Sequence, residues 1–583
     1  MRSAWVRYSL CLWMVIALSA AGCSTGSGGR DDTSDADDTS DADDTSDADD
    51  TSDADDTNDA DDTNDADDTN DADDTSDADD TSDADDTSDA DDTSDADDTS
   101  DADDTSDADD TSDADDPDYV PTLALVVPPV EGPLIGLSTP QLVDLNGDGF
   151  QDIVFGSGIE RLPPFDTPPV GGYVWALSGR TNEVLWVSDA PHDVFTTPTF
   201  VDVDGDGTLD VVMGGREGRL KAFSGTDGAV LWELLGEAVA TTPVAYGFYS
   251  PALLPDVNAD GVPDLLVTYG GDPTKLPGDP RDPGYVVVVS GADGQVLASA
   301  PTPDGAETYC SPVVYQRPGG QWWFVFGTGG ETHAGGVFRA PVSALLEGTF
   351  ESEVETVLTP VRDRGVIAPV TLVDITGDGH YEYVVQTMDG RTVAISGSTK
   401  TILWSVDRDD EESSSPAGVL RLPGGRLGLF TSSSVGVFPR YTASRYRLLN
   451  AEDGAVLYER VVSGHWEGFP MLAADLRGRG YDDVLFGSAR YAGGSAGTIF
   501  YLDTQGLVTH EHVMSSHILP SATLGTIAPG GEMELIVLGT SNHFGGVNAR
   551  WSLFRLSLDT TEPAFVSWGS YMGTQRNGRF DPP

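Results

Sequence analysis

The nine residues Asp202-Val-Asp-Gly-Asp-Gly-Thr-Leu-Asp210 carry acidic side chains at their first, third, fifth and ninth positions and glycines at the fourth and sixth. The glycines permit the positive φ that a tight loop needs, so several carboxylate oxygens can face its inside. A hard cation with roughly six to eight oxygen ligands suits this arrangement, which predicts Ca²⁺. The expected ligands are Asp202, Asp204, Asp206 and Asp210 through their side chains and Thr208 through its backbone carbonyl.

The same loop recurs three times with substitutions. The expected ligands of these copies are Asp144, Asn146, Asp148, Phe150 and Asp152; Asp256, Asn258, Asp260, Val262 and Asp264; and Asp374, Thr376, Asp378, His380 and Glu382. Residues at the seventh position again contribute a carbonyl. The second of these copies has Ala259 in place of the first glycine. One such loop is a weak signal, but four inside the same longer frame predict about four calcium sites.

A fifth copy, Asp475-Leu-Arg-Gly-Arg-Gly-Tyr-Asp-Asp483, has arginines where ligands should be. We expect Arg477 or Arg479 to pair with Asp475 and Asp483. An ion pair would then replace the metal in this copy.

The loops belong to a repeat that also contains short apolar runs. A Thr-Pro or Ser-Pro pair precedes the loop, and a β run ending in glycine follows it, as in Asp210-Val-Val-Met-Gly214. A second run such as Leu220-Lys-Ala-Phe-Ser-Gly225 and a hairpin turn then lead to another strand. Four short strands per unit, separated by turn signals, predict an antiparallel four-stranded sheet.

The spacing of the units predicts their number. The five acidic loops begin at residues 144, 202, 256, 374 and 475, and each of the two long gaps has room for one degenerate unit. A last degenerate unit runs from Pro520 to Gly539, with Glu534 where the final ligand would be. Sheets of this size cannot bury both faces alone, so the units should close into a ring. We predict an all-β propeller of eight blades over residues 119–583, with seven blades as the alternative.

The acidic loop in this frame resembles the FG-GAP (VCBS-type) repeat of integrin-like propellers, over most of residues 121–583. That resemblance implies a mainly structural role for calcium. The segment from Trp568 to Gly578 is similar to the closing segment of bacterial members. The second half of each unit is similar to quinoprotein propeller repeats, which implies that Trp186, Trp232 and Trp404 dock between neighbouring blades, whereas Ala298 and Tyr458 depart from that pattern.

The first 22 residues are predicted to be a secretory leader, because arginines precede an apolar run that ends in small residues before Cys23. The junction resembles a bacterial lipoprotein signal, which implies lipidation of Cys23, followed by a short linker over residues 23–30. Ser24 resembles the outer-membrane sorting class. The alternative is a plain cleaved leader with an incidental cysteine. After the loss of Cys11 and lipidation of Cys23, Cys310 has no disulfide partner within one copy.

Residues 31–118 are predicted to form a disordered tether. Fourteen six-residue units of the type Asp-Asp-Thr-Ser-Asp-Ala, with the next two aspartates, contain 44 acidic residues and no basic ones. Such a segment cannot bury apolar surface, and its charges repel one another. A net charge of −70 disfavours nucleic-acid binding.

The two faces of the ring should differ. First and third turns share the face that carries the calcium loops, whereas second turns lie on the opposite face with the blade-to-blade connectors. Several second turns are enlarged, at residues 158–171, 270–284, 328–336, 488–497 and 540–546. Long loops gathered on one face of a rigid scaffold favour recognition, and neutral drift in loop length is the alternative.

No catalytic constellation stands out, because the eight histidines are scattered. His510 and His512 can face one side of a strand, but no carboxylate or thiol pattern accompanies them. We therefore predict a non-catalytic, lipid-anchored binding or adhesion module for protein or polysaccharide on the outer membrane, at the cell surface. Two alternatives stay open: a propeller enzyme, either quinone-dependent or polysaccharide-cleaving, and a periplasmic scaffold for outer-membrane assembly.

Overall fold

The computed structural model describes residues 119–581 except 137, 160–170, 192, 217, 241–245, 273–274, 276–277, 439, 468–470, 491–496, 516, 542–547 and 562–564. The predicted leader, the lipidated Cys23 and the acidic tether lie outside the described residues. So do parts of the enlarged loops at 158–171, 270–284, 488–497 and 540–546.

The described chain forms eight sheets, each built mainly from strands that follow one another along the sequence. We number them blades 1 to 8 and call their strands inner, second, third and outer. Eight blades were predicted, and the alternative of seven is wrong. Most second and third strands are buried on both faces, because each blade packs between two others.

The strands of the first four blades are given in the order inner, second, third and outer, and some inner strands are split in two. Blade 1 contains Ile135–Gly136 with Gln141–Val143, Asp152–Gly158, Gly172–Leu177 and Val184–Ala190. Blade 2 contains Thr199–Val201, Asp210–Gly214, Arg219–Phe223 and Val230–Leu235. Blade 3 contains Gly247–Phe248 with Ala252–Leu253, Leu265–Gly270, Tyr285–Val289 and Val296–Pro301. Blade 4 contains Val313–Gln316, Trp322–Gly327, Val337–Pro341 and Glu355–Leu358.

The other four blades follow the same order. Blade 5 contains Thr371–Val373, Glu382–Gln386, Arg391–Ile395 and Ile402–Asp407. Blade 6 contains Glu411–Glu412 with Gly418–Leu422, Arg426–Val437, Arg440–Asn450 and Val456–Ser463. Blade 7 contains His465–Glu467 with Leu472–Ala474, Asp483–Arg490, Thr498–Asp503 and Val508–Val513. Blade 8 contains His517–Thr526, Glu532–Ser541, Arg550–Thr561 and, as its outer strand, Ala124–Leu125 with Val130–Pro133.

Blade 8 closes the ring with strands from the opposite end of the propeller sequence. Ala124 pairs with Ser557, and Val130 pairs with Leu553, both antiparallel. The repeat pattern did not predict this arrangement, because the outer strand of the last unit precedes the first unit in sequence. Closure removes the free edge that blade 8 would otherwise present.

The core consists of apolar layers between neighbouring blades. One layer joins blades 1 and 2 through side chains such as Val154 and Met213, and another joins blades 8 and 1 through side chains such as Trp551 and Phe155. Similar layers occupy the remaining junctions of the ring. Burial of these layers is the main source of stability.

The helices in the described part of the chain are short. Blade 4 inserts Val342–Leu346 and Phe350–Glu353 between its third and outer strands, and a 3₁₀ turn at Gly236–Ala238 follows blade 2. None of the described helices has the length and apolar character needed to cross a bilayer.

The C-terminal segment, residues 565–581, lines the inside of the ring. Val566–Trp568 pairs antiparallel with the inner strand of blade 7, and Arg579–Phe580 pairs parallel with the inner strand of blade 5. Between these strands, Gln141 of blade 1 donates a hydrogen bond to Ser570. The segment therefore occupies the channel between the inner strands, whereas closure of the ring itself is achieved by residues 124–133.

The two faces match the predicted arrangement. Loops from inner to second strand and from third to outer strand lie on one face, which we call the loop face. Loops from second to third strand lie on the other, the connector face, with the segments that lead from one blade to the next. The acidic loops of blades 1, 2, 3 and 5 are on the loop face.

Candidate functional site

The acidic loops share one hydrogen-bonding pattern that folds each loop around its first aspartate. In blade 1 the amides of Gly147 and Gly149 donate to the two carboxylate oxygens of Asp144, at 2.8 and 3.0 Å. Blades 2 and 5 repeat this pattern on Asp202 and Asp374. The positive φ of the glycines at the fourth and sixth positions makes this turn possible.

Blade 3 keeps the loop although it lacks the first glycine. Ala259 adopts a φ of 62°, the same left-handed region as Gly147, Gly205 and Gly377. The amides of Asp260 and Gly261 then donate to Asp256 at 3.1 and 2.9 Å. The shape of the loop is thus preserved at the cost of backbone strain at Ala259.

Side chains at the third and fifth positions accept backbone amides two residues further on, which forms short turns within the loop. Asn146, Asp204 and Asn258 accept the amide two residues further on. The fifth-position carboxylates accept the amide of the seventh residue, and these pairs are Asp148 with Phe150, Asp206 with Thr208, Asp260 with Val262 and Asp378 with His380. These amide hydrogen bonds lower the pKa of Asp206 and Asp260. Thr376 of blade 5 instead donates its amide to Glu382.

The ninth-position carboxylates are buried beneath the loops. Asp210 accepts amides from Val203 within its loop, at 2.7 Å, and from Gly225 at the end of the third strand, at 2.9 Å. Asp152 and Asp264 make the equivalent pairs, while Glu382 accepts two amides of its own loop. Burial raises the pKa of all four, and other carboxylates of the same loop add to the rise.

The loop of blade 2 fits a cation best by geometry. Carboxylate oxygens of Asp202, Asp204 and Asp210 lie within 4.8 Å of one another. Such crowding of like charges is unfavourable without a cation and is typical of an oxygen-ligated calcium site. Blades 1 and 3 place an asparagine and blade 5 a threonine at the third position, so each of their loops carries one carboxylate fewer there.

The loop of blade 7 contains the predicted ion pairs, although the partners differ in part. Arg477 and Arg479 both contact Asp483, at 3.1 and 2.7 Å. Arg477 also contacts Asp503 at 2.7 Å. Asp475 pairs with neither arginine side chain: it accepts the amides of residues 479 and 480, and its ion pair at 3.8 Å is with Arg421 of blade 6.

Blade 8 uses a similar substitution. The carboxylate of Glu534, which stands at the ninth position, forms a two-point ion pair with Arg555, at 2.7 and 2.8 Å. Both side chains are almost fully buried. Arginine therefore provides the positive charge in two blades whose loops have lost the calcium pattern.

The predicted tryptophans dock between blades. The indole nitrogens of Trp186, Trp232 and Trp404 each donate a 2.8 Å hydrogen bond to a carbonyl of the following blade. Tyr458, which departs from the pattern, reaches Thr509 of blade 7 through its hydroxyl.

The connector face brings a second group of side chains together at the ring axis. Tyr249 lies between the two parts of the inner strand of blade 3, Tyr309 and Ile367 lie just before the inner strands of blades 4 and 5, and all three pack with Met388. Phe195, which precedes the inner strand of blade 2, packs against the same group. We call these five residues the axial cluster. Contact between residues from four successive junctions places the cluster where the inner strands converge.

Ring contacts connect the cluster from one blade to the next. The rings of Phe195 and Tyr249 are 5.4 Å apart, and those of Tyr249 and Tyr309 are 6.1 Å apart. The guanidinium of Arg216 lies 4.9 Å from the ring of Phe195. Edge-to-face aromatic contacts of this kind favour a fixed geometry.

Three buried glutamates adjoin the axial cluster, and we call them the axial carboxyls: Glu307, Glu331 and Glu412. Glu307 accepts the hydroxyl of Tyr309 at 2.8 Å and lies 3.5 Å from Arg281. Glu412 accepts the hydroxyl of Tyr441 at 2.6 Å and lies 3.6 Å from Arg364.

Glu331 differs from the other two. The residue is buried, with 3% of its surface exposed, and its carboxyl forms no ion pair among the described residues. Burial raises the pKa of Glu331 to about 8, with further contributions from Glu307 and Glu412 and a smaller opposing effect of Arg281. A strongly perturbed carboxyl among convergent polar and aromatic groups indicates a functional site.

Sequence reasoning predicted the connector face but not these residues. Glu331 comes from the enlarged loop 328–336 and Arg281 from the loop 270–284. Glu307 comes from the connector before blade 4, and Glu412 comes from the first part of the inner strand of blade 6. Spacing along the chain gave no signal, because the residues meet only when the ring closes. His510 and His512 lie on the outer strand of blade 7, and no histidine belongs to a metal-holding group found among the described residues.

Comparison with known proteins supports the repeat assignment. A family model for the FG-GAP-like repeat matches residues 202–267, which run from the acidic loop of blade 2 into the second strand of blade 3. Protein FAM234B of Mus musculus is 30% identical over 151 residues, covering 23% of this chain and 22% of that protein. The chain thus spans about a fifth of the length of the curated relative it matches.

Solved structures similar to the chain include a europium-containing methanol dehydrogenase and BamB from Moraxella catarrhalis. The first has 11% identity and a TM-score of 0.49, covering 74% of this chain and 93% of that one. The second has 12% identity and a TM-score of 0.42, covering 74% of this chain and 99% of that one.

Proposed function

We propose that the protein is a calcium-stabilised, non-catalytic binding module that recognises a macromolecular partner at the cell envelope through its connector face. The observation that carries the proposal is the convergence of aromatic rings, arginines and the buried Glu331 at the axis of this face. Loops and connectors from several blades contribute to it. The acidic loops lie on the opposite face, where bound calcium would stabilise the blades without contacting the partner.

Calcium has a supporting role in this proposal. The loops hold their first-position aspartates by two amide hydrogen bonds each, so their oxygens are already arranged before a cation binds. Bound calcium would neutralise the carboxylates and fasten the inner strand of a blade to its second strand. The lipid at Cys23 and the tether of residues 31–118 would connect the propeller to the outer membrane.

The ion pairs and hydrogen bonds of two axial carboxyls support a binding role. Glu307 and Glu412 are each held by an arginine and by a tyrosine hydroxyl. Such pairing fixes the shape and charge of a surface, which favours recognition. The rigid ring supplies the preorganisation that binding needs.

Site-specific photocrosslinking in intact cells tests the proposal. A photoreactive amino acid at Thr332, on the connector face, is expected to give a discrete adduct with a partner. The matched position is Asp227 in the turn between the third and outer strands of blade 2, on the loop face, and it should give none. Adducts only from position 227, or from neither position, would contradict a partner on the connector face. Protease treatment of intact cells, before and after outer-membrane permeabilisation, separates surface display from a periplasmic location.

A further inference from the structure

The sequence contains two Asn-Gly dipeptides, Asn146-Gly147 and Asn577-Gly578. Glycine has no side chain to shield its amide nitrogen, so this nitrogen can attack the side-chain carbonyl of the preceding asparagine. The first dipeptide lies in the acidic loop of blade 1, where both of its residues are exposed. The second lies in the C-terminal segment. The two dipeptides differ in the groups that contact the reacting atoms.

The side-chain carbonyl of Asn146 is held in place by its own loop. Its Oδ1 accepts the amide of Asp148 at 2.9 Å. This turn folds the side chain over the peptide of Gly147, whose nitrogen is the nucleophile. A donor on the carbonyl oxygen also stabilises the negative charge that develops there when Cγ is attacked. The electrophile is therefore both positioned and polarised.

The nucleophile of the first dipeptide contacts a base. The N–H of Gly147 donates to the carboxylate of Asp144 at 2.8 Å. A carboxylate at this distance can accept the amide proton while the nitrogen attacks, which is general base catalysis. The loop thus brings an acceptor for the proton and a donor for the carbonyl to the same asparagine.

The second dipeptide lacks this base. Asn577 also accepts an amide two residues further on, that of Arg579, at 3.1 Å. The N–H of Gly578, however, donates to the backbone carbonyl of Met572 at 2.8 Å. A peptide carbonyl is too weak a base to take the proton. The two dipeptides therefore share the polarised asparagine and differ in the partner of the nucleophile.

We propose that Asn146 is a self-catalysed deamidation site with Asp144 as its base. The nitrogen of Gly147 forms a bond to Cγ of Asn146 while its proton passes to Asp144, and the C–N bond of the side-chain amide then breaks. The leaving nitrogen takes the proton from Asp144 and departs as ammonia, which leaves a cyclic succinimide. Water opens this ring and gives aspartate or isoaspartate at position 146.

Blade 3 has the same asparagine without the reactive dipeptide. Asn258 accepts the amide of Asp260 at 3.0 Å, as Asn146 does from its own loop. Ala259 follows it, and the methyl group hinders attack by the amide nitrogen. The amides of residues 260 and 261 are the ones that donate to Asp256. The asparagine of blade 3 should therefore persist.

Deamidation changes the charge of the loop in blade 1. Aspartate at position 146 supplies the third-position carboxylate that blade 2 has in Asp204. The two loops then carry aspartate at all four acidic positions. Isoaspartate instead adds a carbon atom to the main chain and disrupts the hydrogen bonds to Asp144. Either product adds one negative charge to the loop.

Peptide mass spectrometry of the full-length protein, incubated at neutral pH, tests the proposal. The buffer contains a chelator, because Asp144 and Asn146 are both predicted calcium ligands. We expect Asn146 to lose its amide at least about tenfold faster than Asn577 in the folded protein, and at least about tenfold faster than Asn146 itself in urea. In urea the two dipeptides should react at similar rates.

Three variants examine the base and the dipeptide. Asp144→Asn keeps an acceptor oxygen for the Gly147 amide but removes the base, so the reaction at Asn146 should slow at least about tenfold. Glu183→Gln, an exposed charge change on the same blade, is the control and should leave the rate unaltered. Ala259→Gly places a glycine after the asparagine of blade 3 and should make that asparagine reactive as well.

Two results would overturn the proposal. The first is a rate at Asn146 that Asp144→Asn does not change, with Asn577 as the internal reference in each protein. The second is a rate at Asn146 that is no faster in the folded protein than in urea. This second comparison uses the unaltered chain, so it decides the matter even if Asp144→Asn fails to fold.

Discussion

The guanidinium of Arg339 in blade 4 donates a 2.7 Å hydrogen bond to the carbonyl oxygen of Gly397 in blade 5. In three other junctions, tryptophan indoles fill this role, and Arg555 of blade 8 fills it for Gly179 of blade 1. A buried carbonyl needs a donor, and different junctions supply it from different side chains. The tryptophan pattern is therefore one solution to a requirement that recurs around the ring.

Trp232→Phe tests this inter-blade contact. The substitution leaves the carbonyl of Gly291 without its indole donor and opens space between blades 2 and 3. We expect a loss of about 2–4 kcal/mol in the free energy of unfolding, measured by urea denaturation. Trp322→Phe, at a half-buried strand position, is the control and should cost less. Equal losses would show that ring volume alone matters.

Calcium removal tests the acidic loops. Chelation is expected to lower the melting temperature, since a cation present at about a hundred times its Kd stabilises by roughly 2.7 kcal/mol per site. Asp202→Asn should reduce the response, because Asp202 belongs to the closest group of carboxylates. Glu347→Gln, an exposed charge change away from the loops, is the control. A melting curve unchanged by chelator would refute the metal assignment.

The sequence was sufficient for the blades because their signals are local. The short apolar runs, the Gly-rich acidic loops and the spacing of the units predicted eight four-stranded sheets and the face that each loop occupies. The outer strand of blade 8 and the position of residues 565–581 in the channel depend on contacts between distant parts of the chain. The same holds for the site at the axis: Glu331 and Glu412 belong to different blades, and only ring closure brings them together.

Ala259→Gly should stabilise blade 3. A non-glycine residue at a φ of 62° costs about 1–2 kcal/mol, and glycine removes this strain. Glycine also loses more entropy on folding, so the net gain should be about 0.5–1 kcal/mol in urea denaturation. Gly205→Ala makes the opposite change in blade 2, where nothing lies within 4 Å of an added Cβ and only backbone strain opposes it. A loss of stability on Ala259→Gly would contradict the assigned strain.

Glu331 predicts a pH dependence of stability. Its pKa in the folded protein is about 8, against an ordinary value of 4.5, so between these values the folded state keeps a proton that the unfolded state has lost. Stability therefore falls as pH rises through this window, by up to about 1.4 kcal/mol per pH unit. Glu331→Gln lacks this dependence, and the difference between the two proteins should shrink as pH falls from 8 to 5. Parallel stability curves for the two proteins would contradict a raised pKa.

The C-terminal segment predicts the reactivity of Cys310. This free thiol is fully buried, and burial raises its pKa to about 12. Tyr571 of the segment lies close to it, because Cys310 and Ser311 both influence the pKa of the Tyr571 hydroxyl, which burial raises. Met572 packs with Val313 and Val370 around the same place. The segment therefore covers the thiol from inside the channel.

A chain that ends at Thr561 should expose the thiol. With Cys11 and Cys23 changed to serine, Cys310 is the single cysteine, and its reaction with a disulfide reagent reports on this one place. We expect labelling of the truncated protein to be at least tenfold faster than that of the full chain, and Tyr571→Ala to lie between them. Gln575→Ala, at an exposed position of the same segment, is the control and should react as slowly as the full chain. A truncated protein that keeps its β-sheet circular dichroism and still labels slowly would show that other residues cover Cys310.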